Sequence, residues 1–283
     1  LFTSQDIAAY YEQSHTHYVQ HWQLNRYQAM HYGLWWPDTR DFGEALMNTH
    51  RLMVAWGRVQ AADQVLDAGC GVGGSGLWLA REVGCQVIGL TLSARQATRG
   101  QALAKAQGLA GQVHIRQGDF TQTGLPAESV DVVWAIESVC HAPDKGAFLA
   151  EAYRLLRPGG RLVLCDFFRH EATPTAYGAK VYRQWLDSWA IDQLSTQPGL
   201  VAAAQRVGFT DLRSQDLTAE ITPSARRLYR RFRLGFPVQK LYEWLGNPTA
   251  VQRSSVRSAR WQWQALQAGS WHYAIMGAQK VDH

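Results

Sequence analysis

The stretch that most limits this chain is a short apolar run leading straight into glycines. Gln64-Val65-Leu66-Asp67 reads as a strand, and Ala68-Gly69-Cys70-Gly71-Val72-Gly73-Gly74 follows where a helix from about Gly74 to Val83 should begin. A strand that turns into a helix through glycines leaves the helix's first N–H groups unpaired, and a ligand can approach the backbone because no Cβ stands in the way. Gly69, Gly71 and Gly74 satisfy GxGxxG, a pattern shared with dinucleotide folds.

The same alternation continues downstream. Gln86–Leu90 is a second strand, and Ser93 is placed to cap a helix through Gln107. Val113–Arg116 alternates as a third strand. Val130–Ile136 is almost wholly apolar, as expected of a central strand covered on both faces. A helix over Lys145–Leu156 stops before Arg157-Pro158-Gly159-Gly160, and Arg161–Cys165 is a fifth strand. Helices are then expected over Ala176–Ile191 and Leu200–Val207, and strands over Thr210–Leu217 and Trp271–Gln279. Residues 1 to about 60 read as helical around a loop at Gly33–Asp38, and residues 222–268 as a helical insert. Strands alternating with helices predict a doubly wound parallel α/β sheet.

Composition removes several other classes. The 283 residues are 46% apolar and 18% charged, enough for a large core and unlike a disordered chain. No apolar run approaches the ~20 residues of a membrane span, and the first residues show no signal-peptide pattern. Four dispersed cysteines without a CxxC pair predict reduced thiols in a cytoplasmic protein. The net charge of +5 is local: Arg206–Arg260 holds eleven Lys/Arg against four Asp/Glu. Twelve tryptophans favour a large apolar pocket.

Two residue details separate the glycine loop from a dinucleotide site. Asp67 lies where a carboxylate can meet a ligand ammonium but would repel a pyrophosphate. The second strand ends in Leu90-Thr91-Leu92-Ser93, with no acid for a nicotinamide ribose. Both favour S-adenosylmethionine.

Asp67–Gly74, Gly118-Asp119-Phe120, Asp131-Val132-Val133-Trp134 and Leu156-Arg157-Pro158-Gly159-Gly160 together resemble the class I S-adenosylmethionine-dependent methyltransferases. Within them the chain resembles the group of sterol C-methyltransferases, tocopherol methyltransferases and cyclopropane fatty acid synthases. The resemblance implies a Rossmann-like seven-stranded methyltransferase sheet with helices on both faces. It implies an N-terminal helical cap over 1–60, a core over 61–221 and 269–283, and a helical lid over 222–268. It also implies cofactor contacts: Asp67, Gly69 and Gly71 around the methionine moiety, Thr91, Leu92 and Gln96 at the ribose, and Asp119 and Phe120 at the adenine. Tyr32 and Gly33, in His-Tyr-Gly-Leu-Trp-Trp, match a motif that closes over the cofactor.

Ala135-Ile136-Glu137-Ser138-Val139-Cys140-His141-Ala142-Pro143 follows the fourth strand and is similar to the sterol enzymes' Glu-x-x-Cys-His-Ala-Pro run. It points to C-methylation of an alkene or aromatic carbon in a small hydrophobic, isoprenoid-like substrate. Methyl transfer to a π bond leaves a carbocation that must be shielded, stabilised and quenched. Glu137 and His141 are the candidate bases. Tyr18, Trp22, Trp35 and Trp36, with Tyr182 and Trp185 on a helical face that continues to Trp189, are the candidate substrate-binding aromatics. His15, His17 and His21 have no carboxylate partners nearby, so no metal is expected. The basic insert, with Arg226, Arg227, Arg230, Arg231 and Arg233, suits peripheral contact with an anionic membrane or the diphosphate of a prenyl substrate, and not nucleic acid. A homo-oligomer is admissible. Methylation at nitrogen or oxygen of a small aromatic metabolite, and a non-catalytic S-adenosylmethionine-binding protein, stay open.

Overall fold

The structure is a computed structural model, and it describes residues 2–3, 6–7, 9–10, 12, 24–245 and 250–282. Tyr18 and Trp22, like His15, His17 and His21, lie outside the described residues.

After a helical turn at Leu24–Tyr27, helix α1 (Phe42–Gly57) starts at Asp41, whose carboxylate accepts from the Glu44 N–H. Then β1 (Gln64–Ala68), α2 (Gly74–Glu82), β2 (Gln86–Thr91), α3 (Ala94–Ala106) and β3 (Val113–Gln117) follow in strict alternation. Ser93 caps α3 by accepting from Gln96 N–H, as its sequence position predicts. Next come β4 (Val130–Ile136), a short 3₁₀ turn (Val139–His141), α4 (Lys145–Leu155), β5 (Leu156–Arg169), α5 (Ala176–Ser188), α6 (Gln197–Val207) and β6 (Thr210–Asp216). Two long helices, α7 (Thr218–Leu245) and α8 (Ala250–Gln267), precede β7 (Trp271–Gln279).

The seven strands form one sheet in the order β3-β2-β1-β4-β5-β7-β6. β7 runs antiparallel to both of its neighbours, and the other pairings are parallel. β4 sits near the middle and is covered on both faces: Val132 and Trp134 enter one core cluster, Val133 and Ala135 the other. Chain order reverses at β1 and β4, and a crevice opens there at the strand C-termini, where ligands of open α/β sheets bind.

Several boundaries differ from the sequence expectation, each for a local reason. Between Tyr27 and Asp41 the chain is irregular instead of helical, and it leaves the helical turn through Gln28 at φ 55°. β5 runs past Cys165 to Arg169, because Phe167 and Phe168 go on pairing with Tyr273 and His272. α6 begins at Gln197, capped by the Thr196 hydroxyl with a proline in its first turn. α7 begins at Thr218, near Asp216, whose carboxylate takes the Thr218 N–H at 2.7 Å. α5 ends at Ser188, short of Ile191: Ala190 adopts φ 54°, and Ile191 N–H reaches back to the Leu186 carbonyl at 2.9 Å. That is a Schellman-type ending with alanine where glycine is usual.

Candidate active site

The crevice holds a cavity with about 980 Å³ of empty space, part of it open to solvent. One wall is the β1–α2 loop. Gly71 has φ 56°, and a Cβ there would stand 2.8 Å from the Met30 methyl. At Gly74 a Cβ would fall 1.9 Å from the Gln28 carbonyl oxygen. Glycine therefore lets the segment Gln28–His31 fold down onto the loop, and that segment closes one side of the cavity.

Asp67 ends β1 beneath this loop and is 3% exposed. A Gly76 N–H donates to its carboxyl, while Oδ2 has no hydrogen-bond partner among the described residues. Burial pushes the carboxyl up to about 7. A buried oxygen left unpaired is costly and calls for a donor from the ligand. Across the cavity, the Thr91 hydroxyl bonds Gln96 Oε1 at 2.7 Å and fixes the amide at the end of β2. Phe120 lines the far end, edge-on to Phe148 at 5.4 Å.

The second wall grows from the end of β4. Glu137 has φ 48°, a strained conformation for a side chain of this size, of the kind that collects at functional sites. Its Oε1 accepts from Tyr32 N–H at 2.7 Å and from the Tyr273 hydroxyl at 3.0 Å. Burial, offset by these two donors and reinforced by the nearby Asp166, pushes the acid up to about 8. Ser138 donates to the Ala68 carbonyl at 2.6 Å and so ties the end of β4 to that of β1. His141 lines the cavity and bonds the Ala190 backbone; burial and the charge on Lys145 lower it to about 4, so it is neutral at pH 7. Lys145 donates to the Cys140, Ala142 and Gln193 carbonyls, and Asp166 accepts from Cys140 N–H, which pins the turn carrying His141.

The cavity gathers Asp67, Gly69, Gly71, Thr91, Leu92, Gln96, Phe120, Glu137 and His141 from the sequence-derived set. Others lie elsewhere. Tyr32 and Gly33 are buried behind the wall: the Tyr32 hydroxyl bonds Gln262 on α8 at 2.5 Å, and Gly33 N–H bonds Ser224 on α7. Asp119 folds back onto Thr121, its Oδ1 accepting from that residue's N–H and hydroxyl. Trp35 is turned away to Ser224, and the Trp36 backbone is held by Thr39. The Tyr182 hydroxyl takes the Leu194 N–H. Trp185 is wholly buried among Phe167, Trp189 and Trp271 and belongs to the core. Trp189, also buried, reaches the cavity, because the helix ends at Ser188 just before it.

Sequence reasoning missed His31 and Ser75, which line the cavity, and Tyr273, which holds Glu137. His31 stands next to the recognised Tyr32, whereas nothing local marks Tyr273. Among the described residues no cluster of three metal-binding side chains occurs, and no helix is long and apolar enough to cross a membrane.

A glycine cradle, an unpaired buried carboxylate below it and a polar pair at the end of β2 are what an adenosine-linked amino acid needs, and so the fold and cavity define the class I methyltransferase architecture. Residues 66–164 match a methyltransferase domain family. A probable chloroplastic tocopherol O-methyltransferase of Oryza sativa subsp. japonica is 33% identical over 164 residues, 56% of this chain and 45% of that protein. The alignments span about half the length of the first curated relatives. Among solved structures, the [4+2]-cyclase SpnF superposes with TM-score 0.79 at 21% identity, covering 100% of this chain and 98% of its own. A geranyl diphosphate C-methyltransferase from Streptomyces coelicolor A3(2) gives 0.73 at 20%, covering 98% and 97%. At these identities the structures speak for the fold alone, and a cyclase on the same fold shows that architecture does not set the reaction. Residues 66–164 thus carry a methyltransferase domain, and the findings support a class I S-adenosylmethionine-dependent methyltransferase of the tocopherol and sterol methyltransferase group, with S-adenosylmethionine as cofactor.

Proposed function

We propose that this chain moves the methyl group of S-adenosylmethionine to a carbon of an uncharged isoprenoid-like alkene or prenylated aromatic. The observation that carries the proposal is Glu137: a buried carboxyl at the end of β4, hydrogen-bonded on Oε1 only by neutral donors. Among the described residues no lysine or arginine lines the cavity. A carboxylate held there without a resident cation is suited to one that appears during turnover.

When bound, the cofactor supplies an electrophilic methyl group. Asp67 holds its amino-acid end, Gln96 and Thr91 the ribose, and Phe120 the adenine. Tyr32 N–H and the Tyr273 hydroxyl orient Glu137. Trp189 and Ile7 line the cavity with apolar surface that would help exclude water, and an aromatic ring there can stabilise developing positive charge. The substrate π bond would form the new C–C bond as the S–CH3 bond breaks and its electron pair stays on sulfur, so that a neutral thioether leaves and the acceptor becomes a carbocation. Glu137 stabilises it and takes the proton from the neighbouring carbon, restoring a double bond or an aromatic ring. A diphosphate head group would face Asp67 and Glu137 with no compensating cation, which favours a neutral acceptor. The tocopherol O-methyltransferase and a sterol 24-C-methyltransferase of Eremothecium gossypii among the relatives lend support to an isoprenoid-like acceptor.

The test uses methyl-deuterated S-adenosylmethionine with neutral prenyl alkenes, prenylated phenols, prenyl diphosphates and small aromatic amines. Mass spectrometry of the products should find the intact deuterated methyl on carbon of a neutral acceptor. Label on nitrogen or oxygen, or only on diphosphates, would overturn the assignment.

A further inference from the structure

His31 has no role in the mechanism above, yet it is 4% exposed and lines the cavity. Its Nδ1 lies 2.9 Å from the Tyr32 carbonyl oxygen. A carbonyl only accepts, so Nδ1 carries the hydrogen and Nε2 is left as a bare acceptor. Among the described residues, no group hydrogen-bonds to that nitrogen. Desolvation lowers the ring to about 4, so it stays neutral at pH 7.

Its surroundings place His31 at the amino-acid end of the cofactor. The His50 ring packs edge-on at 5.0 Å, and His50 Nε2 sits 3.1 Å from the hydroxyl of Ser75, a cavity residue in the first turn of α2. Asp67, with its own unpaired Oδ2, closes the same region from β1. This end of the cavity thus offers two buried acceptors with no donor opposite them. A carboxylate there would be repelled by Asp67. A primary ammonium, with three N–H donors and a positive charge, satisfies both acceptors together.

We propose that His31, through Nε2, is a second acceptor beside Asp67 for the α-ammonium group of S-adenosylmethionine, and so selects ligands that carry an amino-acid end. The proposal rests on S-adenosylmethionine being the cofactor, and the test separates the two.

Isothermal titration calorimetry compares S-adenosylmethionine with 5′-methylthioadenosine, which keeps the adenine, ribose and thioether but lacks the amino-acid end. His31→Asn keeps a donor for the Tyr32 carbonyl and removes the acceptor at Nε2, whereas His31→Gln restores an acceptor at that depth. His31→Asn should weaken S-adenosylmethionine by about tenfold or more and leave methylthioadenosine within about twofold, as expected for one hydrogen bond to a charged group. His31→Gln should recover much of the loss. Equal weakening of both ligands, or full affinity of His31→Asn for S-adenosylmethionine, would overturn the proposal. Wild-type protein that binds neither ligand would overturn the cofactor assignment itself.

Discussion

Replacing Glu137 with glutamine should make the protein more stable and less active. Burial lifts the Glu137 carboxyl from 4.5 to about 8, so the folded chain keeps this group protonated over a range where the unfolded chain has released the proton. The sign follows directly. Below pH 4.5 both states are neutral and the acid costs nothing. Between 4.5 and 8 the unfolded state gains progressively by ionising, and above 8 the cost levels off. At 1.36 kcal/mol per unit, linkage makes the cost about 3 kcal/mol at pH 7 and about 5 kcal/mol above pH 9. Glutamine keeps an oxygen to accept from Tyr32 N–H and the Tyr273 hydroxyl but cannot ionise, so Glu137→Gln escapes the cost. Urea denaturation of the two proteins between pH 5 and pH 9 should show a stability gap that widens by about 4 kcal/mol in favour of the variant. Near pH 7 the variant's Tm should rise by roughly 5–10 °C. Methyl transfer should fall by about 10²–10⁴-fold, the usual size of a lost acid–base contribution. Parallel stability curves across that pH range would show that Glu137 titrates normally, and the argument from its burial would fail. Stabilisation without loss of turnover would leave the burial argument intact and remove Glu137 from the chemistry.

Four further outcomes are expected. In Asp67→Asn, calorimetry should show weakened S-adenosylmethionine binding; in the wild type, affinity should rise with pH up to about 7, where Asp67 ionises, and fall again above about 8 as the ligand's amino group loses its proton. Gly71→Val, which forces a branched side chain onto φ 56° and against Met30, should stay folded by circular dichroism and lose cofactor binding. Tyr273→Phe removes a donor that lowers Glu137, so the rising limb of the kcat/KM profile against pH should move to higher pH. On α7, Arg226, Arg230 and Arg233 recur at i, i+4 and i+7 and are exposed beside Leu234, itself 81% exposed; we propose contact with an anionic membrane there, and Arg230→Glu/Arg233→Glu should abolish sedimentation with phosphatidylserine vesicles.

The frame of the fold could be read from the sequence because its signals are local. β1 and β4 are apolar runs of strand length, and Ser93 stands where a helix cap belongs. The cradle was equally plain, since its glycines and Asp67 are contiguous. The aromatic half of the site was not. Tyr182, Trp185 and Trp189 share one face of an ideal helix, which gives them one expected fate, but Ala190 at φ 54° ends the helix and separates them. Trp185 then sinks against Phe167 and Trp271, while Trp189, packed on Trp185 and Phe167, also lines the cavity. Without a glycine to mark the stop, nothing local announces it. Likewise, Gln28–Thr39 has no period to say which side chains face inward, so the sequence singles out Tyr32 and not His31, which lines the cavity. Tyr273 meets Glu137 across 136 residues of chain, a contact that only the antiparallel β7 creates.

Asp67 and Glu137 together give the cavity its charge logic. Both are buried acids raised to about 7 and about 8, and neither has a lysine or arginine among the described residues lining the cavity. The empty protein therefore carries two carboxyl groups that resist ionising. The cofactor's ammonium and sulfonium bring two positive charges into this space, and the first can be matched by Asp67 before any acceptor arrives. On the proposed carbon methylation, the second would draw Glu137 toward its charged form, so that it would become a base only once the methyl donor is in place. Loss of the methyl would then leave the positive charge on the substrate carbon and keep Glu137 ionised until it takes the proton. Once protonated, Glu137 is back in the form its burial prefers, with no cation left to hold the product. Among the described residues no arginine of α7 lines the cavity, so charge on α7 and charge in the cavity are separable, and an α7 variant that loses the proposed membrane contact should keep full turnover on an acceptor supplied in solution.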